Sequence, residues 1–316
     1  MTSDTTTSEV DMATEDRPTG VESPTERGNP RTAGIDLLPT PDILNTLNRE
    51  DRTVADAVGR ALPDLARAVD LAVDALRAGG RVHYVGAGTS GRLAVLDAAE
   101  LVPTFNMPSG WFLAHQAGGQ RAFLEAVENA EDDAAAGAAT IENQAGDNDF
   151  VLGLTASGRT PYVLGALRAA RRRGIPTALV SANPGAARNA PADIAITADT
   201  GPEPITGSTR MKAGSAQKLV LTSFSTTVMI RMGRTYSNLM VSMVATNAKL
   251  RGRTISILRE ATDASEQACS QALSAADGDL KTALVHLLTG VSVDRASAAL
   301  TNAGGQVRDA LSSLES

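Results

Sequence analysis

Two turns hold the residues best suited to chemistry. Gly86-Ala87-Gly88-Thr89-Ser90-Gly91 follows the apolar run Arg81-Val82-His83-Tyr84-Val85, and Thr155-Ala156-Ser157-Gly158-Arg159-Thr160 follows Phe150-Val151-Leu152-Gly153-Leu154. Each pattern predicts a strand that ends in a glycine, serine and threonine turn and then opens a helix. A helix N-terminus carries unpaired N–H donors and about half a positive charge, so such a turn can hold one anion. The expected ligand is a phosphorylated small molecule, contacted most directly by Ser157, Gly158, Arg159 and Thr160. Read singly, each turn is also what an ordinary helix cap looks like, because Ser and Thr are common caps.

A third cluster, Thr206-Gly207-Ser208-Thr209-Arg210-Met211-Lys212-Ala213-Gly214-Ser215, precedes a long apolar helix. Cations at a helix start oppose the macrodipole. Arg210 and Lys212 therefore call for an anion or a partner carboxylate, unless they form a solvated surface pair. Gly86, Gly88 and Gly91 match G-x-G-x-x-G, but the dinucleotide fingerprint also needs an acid about twenty residues on. The stretch Gly110-Trp111-Phe112-Leu113-Ala114-His115-Gln116 supplies none, and there is no G-x-x-x-x-G-K-[ST] phosphate loop.

Among carboxylates, Glu100 ends the run Leu93-Ala94-Val95-Leu96-Asp97-Ala98-Ala99, and Glu131 lies in Ala126-Val127-Glu128-Asn129-Ala130-Glu131-Asp132-Asp133. Spacing alone does not separate them from Glu125, Glu128, Asp132 or Asp133. His83 and His115 sit inside strand patterns and read as packing residues. With three histidines, no C-x-x-C or H-x-x-x-H spacing and one cysteine, Cys269, neither a metal site nor an internal disulfide is expected.

The elements that must position these residues follow from the periodicity. The 316 residues suffice for one large α/β domain with a small appendage. Residues 1–24 contain much Thr, Ser, Asp and Glu and read as a disordered tail. A helical pattern begins at Thr40, and its apolar residues run from Val54 to Leu76 before the stop Gly79-Gly80. Strands are expected at 81–86, 111–115, 149–154, 176–181 and 194–197. Helices are expected at 90–101, across 120–143, at 161–173 and at 211–232. Apolar strands separated by helices of this length indicate a parallel sheet covered on both faces. A helix over 238–259 and then three short helical patterns, 265–276, 280–288 and 293–311, the last broken at Gly304-Gly305, read as a small three-helix unit. The division is thus 25–250 for the ligand-binding domain and 251–316 for the C-terminal domain. A net charge of −7 argues against nucleic acid as a partner. With no signal-peptide pattern and no run of ~18 apolar residues, a cytoplasmic location away from membranes is expected.

Taken together, Gly86–Leu93, Leu96–Glu100, Ala130-Glu131-Asp132, Ala156–Val163, Gly207–Gly214 and Asn238-Leu239-Met240-Val241 resemble the N-acetylmuramic acid 6-phosphate etherase family, in the family's order from about Thr25 to the C-terminus. The resemblance implies a sugar isomerase (SIS) fold, a dimer with a small helical C-terminal unit, and a sugar phosphate whose lactyl ether is cleaved to N-acetylglucosamine 6-phosphate and D-lactate. It also implies Glu100 as the acid at the lactate oxygen and Glu131 as the base at C2. No metal or redox cofactor is required, since elimination followed by hydration leaves the oxidation state unchanged overall.

For that chemistry one carboxyl must be neutral while the other is ionised. Glu100, beside Ala98, Ala99, Leu101 and Val102, is expected to be desolvated, and Glu131, beside Asp132 and Asp133, to keep a polar setting. Thr89 and Ser90 would contact sugar hydroxyls, Asn183 would reach the same edge, and Ser208 and Lys212 would approach a substrate phosphate or carboxylate. If 91–100 is one helix, Glu100 stands about 13 Å from the first turn. Either the second turn holds the phosphate, or Glu100 acts in a composite site across a homodimer, which is the preferred expectation. The rivals are an aldose/ketose isomerase and a non-catalytic sugar-phosphate regulator on the same fold.

Overall fold

The computed structural model of the protein describes residues 23–125, 127–243 and 248–315. Of the expected tail, residues 1–22 lie outside that set. Helix α1 (Thr40–Arg77) is 38 residues long, starts with proline in its first turn and ends before Gly79 at φ 79°. Val54, Val58, Ala61, Leu65, Ala68, Val69, Ala72 and Leu76 recur at helical spacing along it and are all buried. After it come β1 (Val82–Gly86), α2 (Gly88–Phe105), β2 (Phe112–Gln116), α3 (Ala134–Gln144), β3 (Phe150–Leu154), α4 (Pro161–Arg172), β4 (Thr177–Ser181), α5 (Pro184–Ala187), β5 (Ile194–Thr197) and α6 (Lys212–Arg231). Residues 120–123 form only a 3-10 turn, so the helical stretch expected over 120–143 is mostly α3.

The five strands are all parallel, in the order β2-β1-β3-β4-β5. Alternate residues point to opposite faces. Val82, Tyr84, Leu152 and Val180 join α1, α2 and α6 in one core, whereas Val85, Val151 and Leu179 join α3 and α4 in the other. Both faces are thus covered, which explains why the strand sequences read as continuous apolar runs.

The expected helix over 238–259 is corrected. Thr235–Tyr236 (β6) and Leu239–Met240 (β7) pair antiparallel around Ser237, whose φ is 51°, and α7 (Ala248–Thr262) begins only afterwards. A residue in the left-handed region ends helical continuity there. The C-terminal patterns appear where expected, and the break at Gly304-Gly305 divides the last of them into two helices. Four short helices follow α7: α8 (Glu266–Ala275), α9 (Leu280–Thr289), α10 (Val293–Asn302) and α11 (Val307–Glu315). Gly304 and Gly305, both at positive φ, separate the last two, and a core of its own including Leu258, Leu284 and Leu300 unites the group. No helix among the described residues is long and apolar enough to cross a membrane.

Candidate active site

Strand β1 leads outward to β2, whereas β3 lies on the opposite side of β1. Because α2 packs on one face and α4 on the other, the turns that leave β1 and β3 diverge and open a crevice at the C-terminal edge. Both turns predicted to hold an anion sit there. No side chain caps either helix: Ala87 precedes α2 with extended backbone, and Thr160 precedes α4 without a capping bond. The plain helix-cap reading therefore fails at both.

The second turn is fixed by its own hydroxyls. Thr155 Oγ1 lies 2.7 Å from Thr160 Oγ1 and 3.2 Å from Ser157 Oγ, which accepts a hydrogen bond from the Arg159 N–H. Gly158 adopts φ 70°, and a Cβ there would come within 2.9 Å of Ala186 Cβ and Ser181 Oγ. Asn183 stands behind this turn: it is buried, its Oδ1 caps α5, and its Nδ2 has no hydrogen-bond partner among the described residues.

Glu131 is brought to the same edge by backbone. Its carbonyl accepts the Tyr162 N–H of the first turn of α4 at 2.9 Å, and Asp133 caps α3 through the Ala136 N–H. Two glycines let α3 and α4 approach. A Cβ at Gly137 would stand 1.9 Å from the Tyr162 carbonyl oxygen, and one at Gly165 would stand 2.0 Å from that of Ala134. Glu131 is exposed and lines a cavity of ≈ 250 Å³ with Gly88, Arg92, Gln116 and Glu128. Arg92 holds the far wall by donating to the carbonyls of Phe123 and Glu125.

Glu100 lies elsewhere. It lines a groove of ≈ 360 Å³ between α2 and α6, with Leu93, Leu96, Lys218, Leu221 and Ser225. Twelve residues along α2 from Gly88, it is about 18 Å from the helix start. The expected desolvation of Glu100 is corrected for the single chain. Ala94, Leu101 and Phe105 take the buried side of α2, and Glu100 shares the open side with Leu96, itself 55% exposed. Asp97, one turn earlier, accepts hydrogen bonds from Tyr84 Oη at 3.0 Å and Ser225 Oγ at 3.1 Å, and burial raises its pKa. Thr89 is half-buried in a neighbouring groove with Asp51 and Arg210, and Ser90 is buried. Ser208 is half-buried in the loop before α6.

Lys212 is corrected outright. It is 0% exposed, and its ammonium donates to Glu50 Oε2 at 2.9 Å, so it faces the interior and not a ligand. Arg31 and Asn29 hold the same carboxylate, and the Arg31 bonds, above all others, bring the Glu50 pKa down to about 2. The Glu203 carboxylate accepts the N–H groups of Lys212 and Ala213, both at 2.9 Å, at the start of α6. Lys212 thus has the partner carboxylate that its charge called for, while Arg210 is exposed. Glu50 and Glu203 gave no local signal of their own.

His83 and His115 are buried as expected, with a polar role added. His83 Nε2 lies 2.7 Å from Asp149 Oδ2, and its Nδ1 lies 2.8 Å from His115 Nε2. Burial lowers the pKa of both rings, that of His115 to about 4.

Comparison with known proteins adds sequence and fold relationships. Residues 64–171 match the family described as the glucokinase regulatory protein N-terminal SIS domain. The chain is 58% identical to an N-acetylmuramic acid 6-phosphate etherase of Thermobifida fusca (strain YX) over 272 residues, which cover 85% of this chain and 88% of that one. It is 50% identical over 287 residues to a protein of the same name from Yersinia pestis (strain Pestoides F), covering 90% and 97%. A solved phosphoheptose isomerase from Francisella tularensis shares the fold, with a TM-score of 0.51 and 20% identity over 61% of this chain and all of that one.

Proposed function

The chain belongs to the N-acetylmuramic acid 6-phosphate etherase family, and from that premise we propose how its residues cleave the lactyl ether. It is a carbon–oxygen lyase that converts N-acetylmuramic acid 6-phosphate to N-acetylglucosamine 6-phosphate and D-lactate in cell-wall amino sugar recycling. A dialkyl ether resists direct hydrolysis because an alkoxide leaves poorly, so elimination is the easier route. In the open-chain sugar the C1 aldehyde acidifies the C2 hydrogen. Glu131 removes that proton, the C3–oxygen bond breaks, and Glu100 gives its proton to the departing lactate oxygen. Water then adds across the C2–C3 double bond, placing hydroxyl on C3 and a proton on C2. Each positioned acid or base contributes ~10²–10⁴-fold.

The observation that carries this reading is the bond from the Tyr162 N–H to the Glu131 carbonyl, which ties the base to the turn proposed to hold the phosphate. Ser157, Gly158, Arg159 and Thr160 bind that phosphate, with Asn183 supporting the turn from behind. Thr89, Ser90 and Ser208 approach the sugar from the α2 side, while Lys212 belongs to the framework. Because Glu100 and Glu131 line separate cavities on one chain, the working enzyme is a homodimer in which one subunit's groove completes the other's pocket. Covering the exposed Leu96 in this way also supplies the desolvation that the single chain does not give Glu100. Its place is the cytoplasm, with neither nucleic acid nor membrane as partner.

Turnover in heavy water tests the scheme. The purified protein is expected to release D-lactate and to leave deuterium at C2 of N-acetylglucosamine 6-phosphate. Glu131→Gln and Glu100→Gln should each cut turnover by ~10²-fold or more. An isomerase or a sugar-phosphate sensor yields no lactate, and lactate without label at C2 excludes Glu131 as a base there.

A further inference from the structure

We propose that Lys218 binds the lactyl carboxylate, and that the groove between α2 and α6 is the subsite for the whole three-carbon arm of the ether. The inference rests on Glu100 being the acid, as argued above. In the substrate, the carbon that bears the ether oxygen also bears a methyl group and a carboxylate. Whichever residue protonates that oxygen must therefore share its cavity with a cation and with apolar wall.

The Glu100 groove has both. Leu93, Leu96, Asp97 and Glu100 stand at helical spacing along α2, and Lys218, Leu221, Thr222 and Ser225 face them at the same spacing along α6. Lys218 is the sole cation among the lining residues, and its side chain is exposed and forms no ion pair with any described residue. Asp97 is near enough for Lys218 to act on it, but that carboxyl is engaged by Tyr84 and Ser225, and its burial favours the neutral form. Both Asp97 oxygens are thus committed to other donors, and no hydrogen bond or ion pair joins Asp97 to Lys218. An exposed lysine is most often just solvated, yet here it borders an open leucine surface that a methyl group would cover.

The other cavity has the opposite character. Around Glu131 stand Glu125 and Glu128, and the one cation there, Arg92, is committed to two carbonyls. A lactyl carboxylate would meet Glu125, Glu128 and Glu131 with no uncommitted cation in that cavity, whereas this groove offers it Lys218.

The test compares D-lactate-type release from N-acetylmuramic acid 6-phosphate and from its uncharged lactyl N-methylamide, in wild type, Lys218→Met and Lys218→Arg. A hydrogen bond between charged groups corresponds to about 10- to 100-fold, so wild type should prefer the free acid by that factor in kcat/KM. Lys218→Met should lose the preference, falling on the acid while holding the amide within about threefold, and Lys218→Arg should keep most of it. Retained activity on the amide shows that the variant is folded. If wild type releases D-lactate and Lys218→Met keeps the preference, or if Arg210→Met abolishes it instead, the subsite is overturned. Wild type that releases no D-lactate sinks the etherase chemistry itself, a separate failure.

Discussion

Replacing Lys212 by methionine separates a framework lysine from a substrate-binding one. The ammonium is fully enclosed, and its partner Glu50 is 3% exposed, so Lys212→Met leaves a buried carboxylate short of one donor. Removing one member of a buried pair costs about 3–5 kcal/mol. Arg31 and Asn29 still hold Glu50, which places the loss at the lower end, about 3 kcal/mol. Lys212 is one of the groups, after Arg31, that hold the Glu50 pKa down at about 2. For a chain of this size, that loss lowers the melting temperature by about 5 °C. Urea denaturation of wild type, Lys212→Met, Glu50→Gln and the double variant forms the cycle. The double variant should recover part of the loss, because neither charge is then stranded. Unchanged stability with lost lactate release would return Lys212 to the substrate and refute the reasoning.

Other outcomes follow from the same geometry. Burial lowers the pKa of both His83 and His115 in the folded chain, that of His115 to about 4, whereas in the unfolded chain histidines take up protons near 6.5. The His115 contribution is complete above pH 6.5 and is lost as pH falls toward 4. His115→Leu should therefore flatten the fall of urea stability between pH 6.5 and 4 by about 1 kcal/mol per pH unit, and Glu50 adds its own loss only below 4.5. Gly137→Ala forces α3 from α4, costing about 1–3 kcal/mol by urea denaturation, and should lower kcat by moving Glu131. Gly158→Ala meets both a left-handed backbone and Ala186, so KM for the sugar phosphate should rise at least tenfold, as measured by initial rates, while a KM equal to wild type would remove this turn from the phosphate site.

The parts of the fold that were legible in the sequence are those set by neighbours in the chain. Short continuous apolar runs located the five strands, helical periodicity located α1 and α6, and the glycine turns after β1 and β3 located the crevice. What was illegible depends on distant pairing. Lys212 and Glu50 are 162 residues apart, and only the clash of a cation with the α6 dipole hinted at a partner. Glu100 was placed among apolar neighbours in the chain, but helical rotation turns Leu101 inward and Glu100 outward. The α3–α4 approach needs Gly137 and Gly165 to meet across a helix pair, and no local pattern announces that meeting.

Three turns of this chain have the glycine and hydroxyl composition that attracts phosphate, and three interchangeable seats would let one hexose lie in several orientations, most of them unreactive. With its own Glu203 the protein stoppers the seat at Lys212 and Ala213. That carboxylate occupies the N–H groups at the start of α6, so of the three turns only those after β1 and β3 open helices without a side-chain cap. On the proposed reading, a hexose phosphate is left with those two turns alone, and its orientation is narrowed before any bond breaks.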